Sequence, residues 1–205
     1  MPRRKTPFVA GAYYHLFNRG NNRVHIFLED LDCQQFMTRL QDYLLPVVDL
    51  LAYCLMPNHF HLLIRLPPHT PPHITRRNQE ISELSHAMMR LSVSYTKWFN
   101  RHRGRSGVLF EGAFGAKLIR TDSQLLAAAN YIHRNPVEAG LVQEPGNWPY
   151  SSFPSYQAQP RGGIVETSPV LELLPTGLDY EQYLADLRAP RADQWPPRST
   201  AQARP

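Results

Sequence analysis

Val47-Val-Asp-Leu-Leu-Ala-Tyr-Cys-Leu-Met56, then Pro57-Asn58, then His59-Phe-His-Leu-Leu-Ile-Arg-Leu66 is the stretch that decides the fold. Two apolar runs of strand length flank a Pro-Asn break, which reads as a β-hairpin. Upstream, the aromatic-rich residues 12–18 read as another strand, and Asn18-Arg-Gly-Asn-Asn-Arg23 as a turn carrying two cations. Asp30 is placed to cap a helix whose apolar positions Cys33, Phe36, Met37, Leu40 and Leu44 keep helical spacing until Pro46. Downstream, residues 67–72 form a stiff, Pro-rich connector. Ile81, Leu84, Met88, Leu91, Tyr95 and Trp98 then recur every three or four residues, predicting a long amphipathic helix. A basic loop over 101–107 leads to a fourth strand over 108–119, with Gly112 and Gly115 marking a bulge or a close backbone approach. Thr121-Asp-Ser-Gln124 has the form of a capping box opening a helix that should run to about Arg134.

The order is strand, helix, strand, strand, helix, strand, helix. The first six elements match an α+β, ferredoxin-like split βαβ sandwich, an antiparallel sheet with helices on one face, and the seventh is an added C-terminal helix. Ten of the 19 prolines lie at 145 or later. Residues 1–142 therefore read as one domain and 143–205 as a loosely attached Pro-rich extension, with a short helix near Tyr180–Leu187 and a disordered end.

Composition narrows the partner. The net charge of +5 is uneven: residues 1–142 carry 17 Lys/Arg against 10 Asp/Glu, and 143–205 carry 5 against 7. Arg76, Arg77, Arg90, Lys97, Arg101, Arg103 and Arg105 form one dense block. Nineteen of the 22 basic residues are Arg, which favours forked phosphate recognition and a polyanion partner. No apolar run approaches the ~20 residues of a membrane span, and the basic N-terminus has no apolar stretch behind it to make a signal peptide. Cys33 and Cys54 make no disulfide framework, so a reduced, cytoplasmic setting is expected.

Two short segments carry the chemistry. His59 and His61, at i and i+2 of a strand, share a face, a spacing that suits two metal ligands or two donors aimed at a phosphate. Tyr131 and Asn135 lie one helical turn apart and roughly 100° round from the Leu125/Ala129/Ile132 stripe, which predicts that Tyr131 is not a core residue. A tyrosine hydroxyl is a poor nucleophile until its proton is withdrawn, and a carboxamide oxygen suits a hard cation such as Mg²⁺ or Mn²⁺. Brought together, these four residues would make a site for phosphoryl transfer.

Met56-Pro-Asn-His-Phe-His-Leu-Leu63 resembles the HUH motif of single-tyrosine transposases, and Asn130-Tyr-Ile-His-Arg-Asn-Pro-Val-Glu-Ala-Gly-Leu-Val142 resembles their catalytic-helix motif. With the Asn18-Arg-Gly-Asn loop and Gly107-Val-Leu-Phe-Glu-Gly112, the chain is most similar to the REP-associated tyrosine transposases over roughly residues 8–153. The resemblance implies a ferredoxin-like nuclease core using Mg²⁺ or Mn²⁺ on single-stranded DNA folded into a hairpin. By motif position it makes His59, His61 and Asn135 ligands and Tyr131 the nucleophile. The expected DNA-contacting set is Asn18, Arg19, Arg23, Arg101, Arg103, Arg105, Lys117 and Arg134. Family members often carry Arg and Lys just after Phe-Glu-Gly, where this chain has Ala113 and Gly115. A monomer or a homodimer fits, in a bacterial cytoplasm beside the nucleoid. Two other readings keep the fold and drop the cleavage: a regulator that holds hairpins through Arg and aromatic contacts such as Tyr13 and Phe17, and an RNA-recognition-type sandwich with exposed aromatics on its sheet face.

Overall fold

The computed structural model describes residues 8–70, 74–76, 79–157 and 163–186. In chain order the elements are β1 (Tyr13–Arg19), α1 (Asp30–Tyr43), β2 (Asp49–Met56), β3 (His59–Arg65), β4 (Ile74–Arg76), β5 (Gln79–Ile81), α2 (Glu83–His102), β6 (Gly115–Ile119), α3 (Asp122–Glu138), α4 (Ser168–Leu171) and α5 (Tyr180–Asp186). The main sheet has the order β2-β3-β1-β6 with every pair antiparallel, which is the ferredoxin-like arrangement. β4 and β5 form a separate small hairpin that the connector's composition does not announce, and they take Ile81 out of the following helix.

Strand alternation divides the sheet into two faces. Leu16, Leu55, Phe60, Leu62 and Ile64 face α1 and α2, where they meet Phe36, Leu40, Leu91 and Tyr95 in the larger core. Leu51, Cys54 and Leu63 face the other way, under α3 and its Leu125, Ala129 and Ile132. α1 and α2 therefore cover one face, and the added helix α3 covers the opposite one.

Several boundaries differ from the sequence expectation. α1 starts behind Glu29, not Asp30; the buried Asp32 carboxylate accepts from the Leu28 and Glu29 N–H groups and from Arg103, tying the helix start to the end of α2. The expected strand over 108–119 is regular only from Gly115. Before it, Leu109 and Phe110 are buried and joined to β1 by a single bridge, Phe110 to Gly20. α3 does not end near Arg134. It runs to Glu138 with Pro136 inside, because the last turn closes through Ala139 N–H to Asn135 C=O and Leu141 N–H to Pro136 C=O. Gly140, at φ +68°, supplies the left-handed residue that stops it.

The largest correction concerns the segment after residue 142, which is not loosely attached where it is described. Phe153, Tyr156, Val170, Tyr180 and Leu184 are buried in the α3-side core. The Tyr156 hydroxyl donates to the Leu51 carbonyl, Arg134 donates to the Leu184 carbonyl, and the Glu166 N–H donates to the Leu50 carbonyl. The short helix near Tyr180 is present as α5, whereas the expected disordered end lies outside the described residues. Tyr180 is 1% exposed. Tyr180→Ala should therefore cost about 3–5 kcal/mol of unfolding free energy in a denaturant titration; a change below ~0.5 kcal/mol, typical of a solvated position, would contradict this packing.

Candidate nucleic-acid-processing site

Strand pairing assembles the site. β1 and β3 run antiparallel with Phe17 opposite His61 and Arg19 opposite His59. His15, Phe17, His59 and His61 thus fall on the face that α3 crosses, His15 and His61 as diagonal neighbours. Their ring nitrogens, Nε2 of His15 and Nδ1 of His61, share a 2.9 Å hydrogen bond in the buried interior. The His59 and His61 rings stand 4.9 Å apart at 79°.

α3 brings the second half. The Tyr131 ring stands edge-on to His61 at 5.3 Å and to His15 at 6.0 Å. Asn135, one turn on, has its Oδ1 3.2 Å from His59 Nε2, and its carboxamide acts to lower the Tyr131 pKa. The carboxamide therefore shares a helix face with the tyrosine and reaches the histidine pair. One chain supplies all four groups.

One expectation is corrected here. Tyr131 is 9% exposed and belongs to the α3-side core, because this helix lies across a sheet face and buries more than its apolar stripe. The two histidines differ in exposure: His59 is half-buried, whereas His61 is 5% exposed and wedged between β1 and α3. His61→Ala would consequently perturb packing as well as chemistry.

Beside these groups opens a cleft of about 620 Å³ lined by Phe17, Asn18, Arg19, Arg23, His59 and Tyr131, among others. Its rim is a tight loop. Gly20 packs so closely on the Val24 carbonyl that a Cβ would sit 2.1 Å from it. Asn22 and Arg23 adopt φ of 53° and 58°, a left-handed conformation that asparagine tolerates and arginine rarely takes. Such strain persists only where the surroundings enforce it. Arg19 forms an exposed ion pair with Glu111 across the cleft. On the floor, the Phe17 ring occupies the space a side chain at Gly115 would need, with its atoms 2.4–2.9 Å from where a Cβ would be. That close approach is the reason for Gly115.

Of the expected DNA-contacting residues, Asn18, Arg19 and Arg23 line the cleft and the others do not. Arg103 is engaged by Glu29 and Asp32, Arg105 donates to the Val108 carbonyl, and Arg134 holds the C-terminal segment. Lys117 lies on β6 opposite His15, half-buried, and burial lowers its pKa. Arg77, in the basic block, lies outside the described residues.

The donor set fits a divalent cation. His61 Nε2 is buried with no hydrogen-bond partner among the described residues. His59 lies between two amide oxygens, Asn58 Oδ1 at 2.7 Å from Nδ1 and Asn135 Oδ1 at 3.2 Å from Nε2. A neutral imidazole has one N–H and satisfies one of them. Whichever nitrogen carries the hydrogen, the other keeps a lone pair facing an amide oxygen, a place that a cation would suit. Among the described residues no cluster of three His, Cys, Asp or Glu is arranged for a metal, so a carboxamide would be needed to complete the set. Burial is the main cause that lowers the pKa of both His59 and His61, keeping them in the neutral form that ligates. Burial also raises Tyr131 above the ordinary phenol value, while the Asn135 carboxamide works against that.

Sequence reasoning missed His15 and His133. His15 sits in an aromatic strand that reads as plain β structure. His133 is buried in α3, bonded at 2.8 Å both to the Tyr180 hydroxyl and to the Ser152 hydroxyl. Only the chain's return after residue 148 gives it these partners, so no local signal could have found it.

Fold and site together define an α+β protein with a histidine pair under a helix-borne tyrosine, opening to an arginine-rimmed cleft. A family model described as IS200-like transposase matches residues 8–135, more than half of the chain, and the chain belongs to that family. A curated Haemophilus influenzae protein named as a REP-associated tyrosine transposase is 32% identical over 102 residues, which are 50% of this chain and 57% of that protein. The match thus spans little over half the length of that relative. A solved structure of a REP-associated tyrosine transposase bound to a REP hairpin shares the fold at a TM-score of 0.56 and 19% identity, covering 82% of this chain and 96% of that one. Among the described residues no helix is long and apolar enough to cross a membrane.

The buried neutral histidines make stability pH-dependent. Burial holds His15 and His133 near a pKa of about 3 and lowers His61 as well. Their unfolded value is about 6.5. Stability is therefore complete above pH ~6.5 and falls as pH drops from there toward 3, by up to about 1.4 kcal/mol per pH unit for each histidine. Thermal melts should show the midpoint falling steadily between pH 7 and pH 5. A flat profile over that range would contradict the buried, neutral assignment.

Proposed function

We propose that the chain is a divalent-metal-dependent endonuclease and strand-transferase that cuts single-stranded DNA beside a hairpin, with Tyr131 as nucleophile. The observation that carries this reading is the placement of Asn135, one turn from Tyr131 on α3 with its Oδ1 3.2 Å from His59 Nε2. Nucleophile and ligand set are thereby held at one point.

The Tyr131 oxygen attacks phosphorus in line, its proton leaves, and the bond to the 3′ oxygen breaks, which takes up a proton. A 5′-phosphotyrosine and a free 3′ hydroxyl result. His59, His61 and Asn135 would hold Mg²⁺ or Mn²⁺, which would supply positive charge against the charge that develops on the phosphate. Because burial raises the Tyr131 pKa, the hydroxyl is protonated at neutral pH and needs that help. The covalent phosphodiester is kept for transfer to a second DNA end, and hydrolysis would discard it. Arg19 and Arg23 at the rim suit the backbone of the strand, and the half-buried Phe17 ring offers a base a stacking surface. The solved relative's REP hairpin supports a hairpin partner for this chain.

Incubation with hairpin-flanked single-stranded DNA and Mn²⁺ should give a denaturation-resistant protein–DNA adduct mapping to Tyr131. Tyr131→Phe should bind the DNA and form none. An adduct on another tyrosine would overturn the mechanism, and hairpin binding with no adduct in the wild type would leave a binding-only regulator.

Arg23→Gln should lower the slope of log affinity against log salt by about one contact while leaving the fold intact. An unchanged slope would place the DNA path away from this rim.

A further inference from the structure

We infer that His15 is a positioning residue whose hydrogen bond to His61 fixes the tautomer that turns a lone pair of His61 toward the cleft. This rests on the reading of His61 as a ligand. His15 is fully buried on β1, and its Nε2 lies 2.9 Å from His61 Nδ1. Two neutral imidazoles joined through these atoms share one hydrogen, so one ring donates and the other accepts. When His61 Nδ1–H donates, its Nε2 keeps the lone pair. When His15 donates, His61 Nε2 must carry a hydrogen.

That Nε2 is buried with no hydrogen-bond partner among the described residues, and His61 lines the cleft. Hydrogen-bond satisfaction alone does not choose, since a hydrogen moved off His61 Nε2 leaves one on His15 Nδ1, which is also buried; what separates the two arrangements is the cleft, where a lone pair on His61 Nε2 has a use in holding a cation. The His61 ring cannot easily turn to escape the choice, since Tyr131 stands edge-on at 5.3 Å and Phe17 lies at 6.4 Å. Packing alone does not explain His15. An apolar side chain would fill the same buried position without taking an imidazole out of water. A partner behind a ligating histidine orients the ring and sets its tautomer, and losing such a partner typically weakens metal binding roughly 10–100-fold.

The test has two arms on the full chain. Nitrogen-15 NMR of metal-free protein, with the His61 signals assigned by their loss in His61→Gln, should show Nδ1 protonated and Nε2 not. The opposite tautomer overturns the inference whether or not a metal binds. Mn²⁺ titration followed by electron paramagnetic resonance then compares His15→Gln, whose side-chain oxygen still accepts from Nδ1–H, with His15→Leu, which accepts nothing. The Gln variant should bind within a few-fold of wild type, and the Leu variant about 10–100-fold more weakly. Equal affinity of both variants makes His15 packing only and overturns the inference. If wild-type protein binds no Mn²⁺, the metal reading fails, and the NMR arm still decides the tautomer.

Discussion

The antiparallel register of β1 against β3 is the constraint on which the site depends. Phe17 opposite His61 and Arg19 opposite His59 place two histidine ligand candidates, the buried His15 and the Phe17 floor on one face of the sheet. The same register sends Leu16, Phe60 and Leu62 to the opposite face and its larger core. A slip of one residue would exchange the two sets, burying imidazoles against α1 and α2 and exposing leucines. The hydrophobic contents of one face therefore hold the chemistry of the other in place. Phe60, between the two histidines, packs on Phe36 at 5.0 Å and anchors that arrangement.

A second constraint fixes the height of α3 above the sheet. The helix is held from beneath by Leu63 and Cys54 and from outside by the chain's return, through His133 to Ser152 and Tyr180 and through Arg134 to the Leu184 carbonyl. Ser152 also accepts from the Tyr53 N–H, so one hydroxyl joins the central sheet, the returning segment and the helix. These contacts lie within one turn of Tyr131 and Asn135. An isolated polar group at His133 would be costly in this interior, and both its ring nitrogens are satisfied. The outcome is a tyrosine whose position follows from three separate chain segments.

Much of this was legible in the sequence. The hairpin at 47–66, the helical spacing in 33–44 and 84–98, and the capping signal at Thr121 are local patterns, and they appear as α1, β2, β3, α2 and α3. The pairing of His59 with His61 follows from strand geometry alone. What was hidden depends on contacts distant in sequence. The apolar stripe of α3 suggested an outward Tyr131, but a helix laid across a sheet and covered by a returning chain buries more of its circumference than the stripe marks. The proline content of 145–205 suggested a loose tail, yet Phe153, Tyr156 and Tyr180 are aromatic anchors among those prolines, and they outweigh it. The basic block near residue 103 suggested a phosphate track, but charge counting cannot see that Arg103 already serves the buried Asp32 carboxylate. Arg19 and Arg23, fewer in number, are the cations at the cleft.

The central claim is that His59, His61 and Asn135 act together as one cation site beside Tyr131. Crystals of the protein soaked with Mn²⁺, with anomalous diffraction recorded near the manganese edge, test it most directly. The account predicts one strong peak ligated by an imidazole nitrogen of His59, Nε2 of His61 and the Asn135 oxygen, with the Asn135–His59 contact of 3.2 Å giving way to the ion. A manganese ion bound elsewhere, or His59 and Asn135 still in direct contact at saturating Mn²⁺, would contradict it.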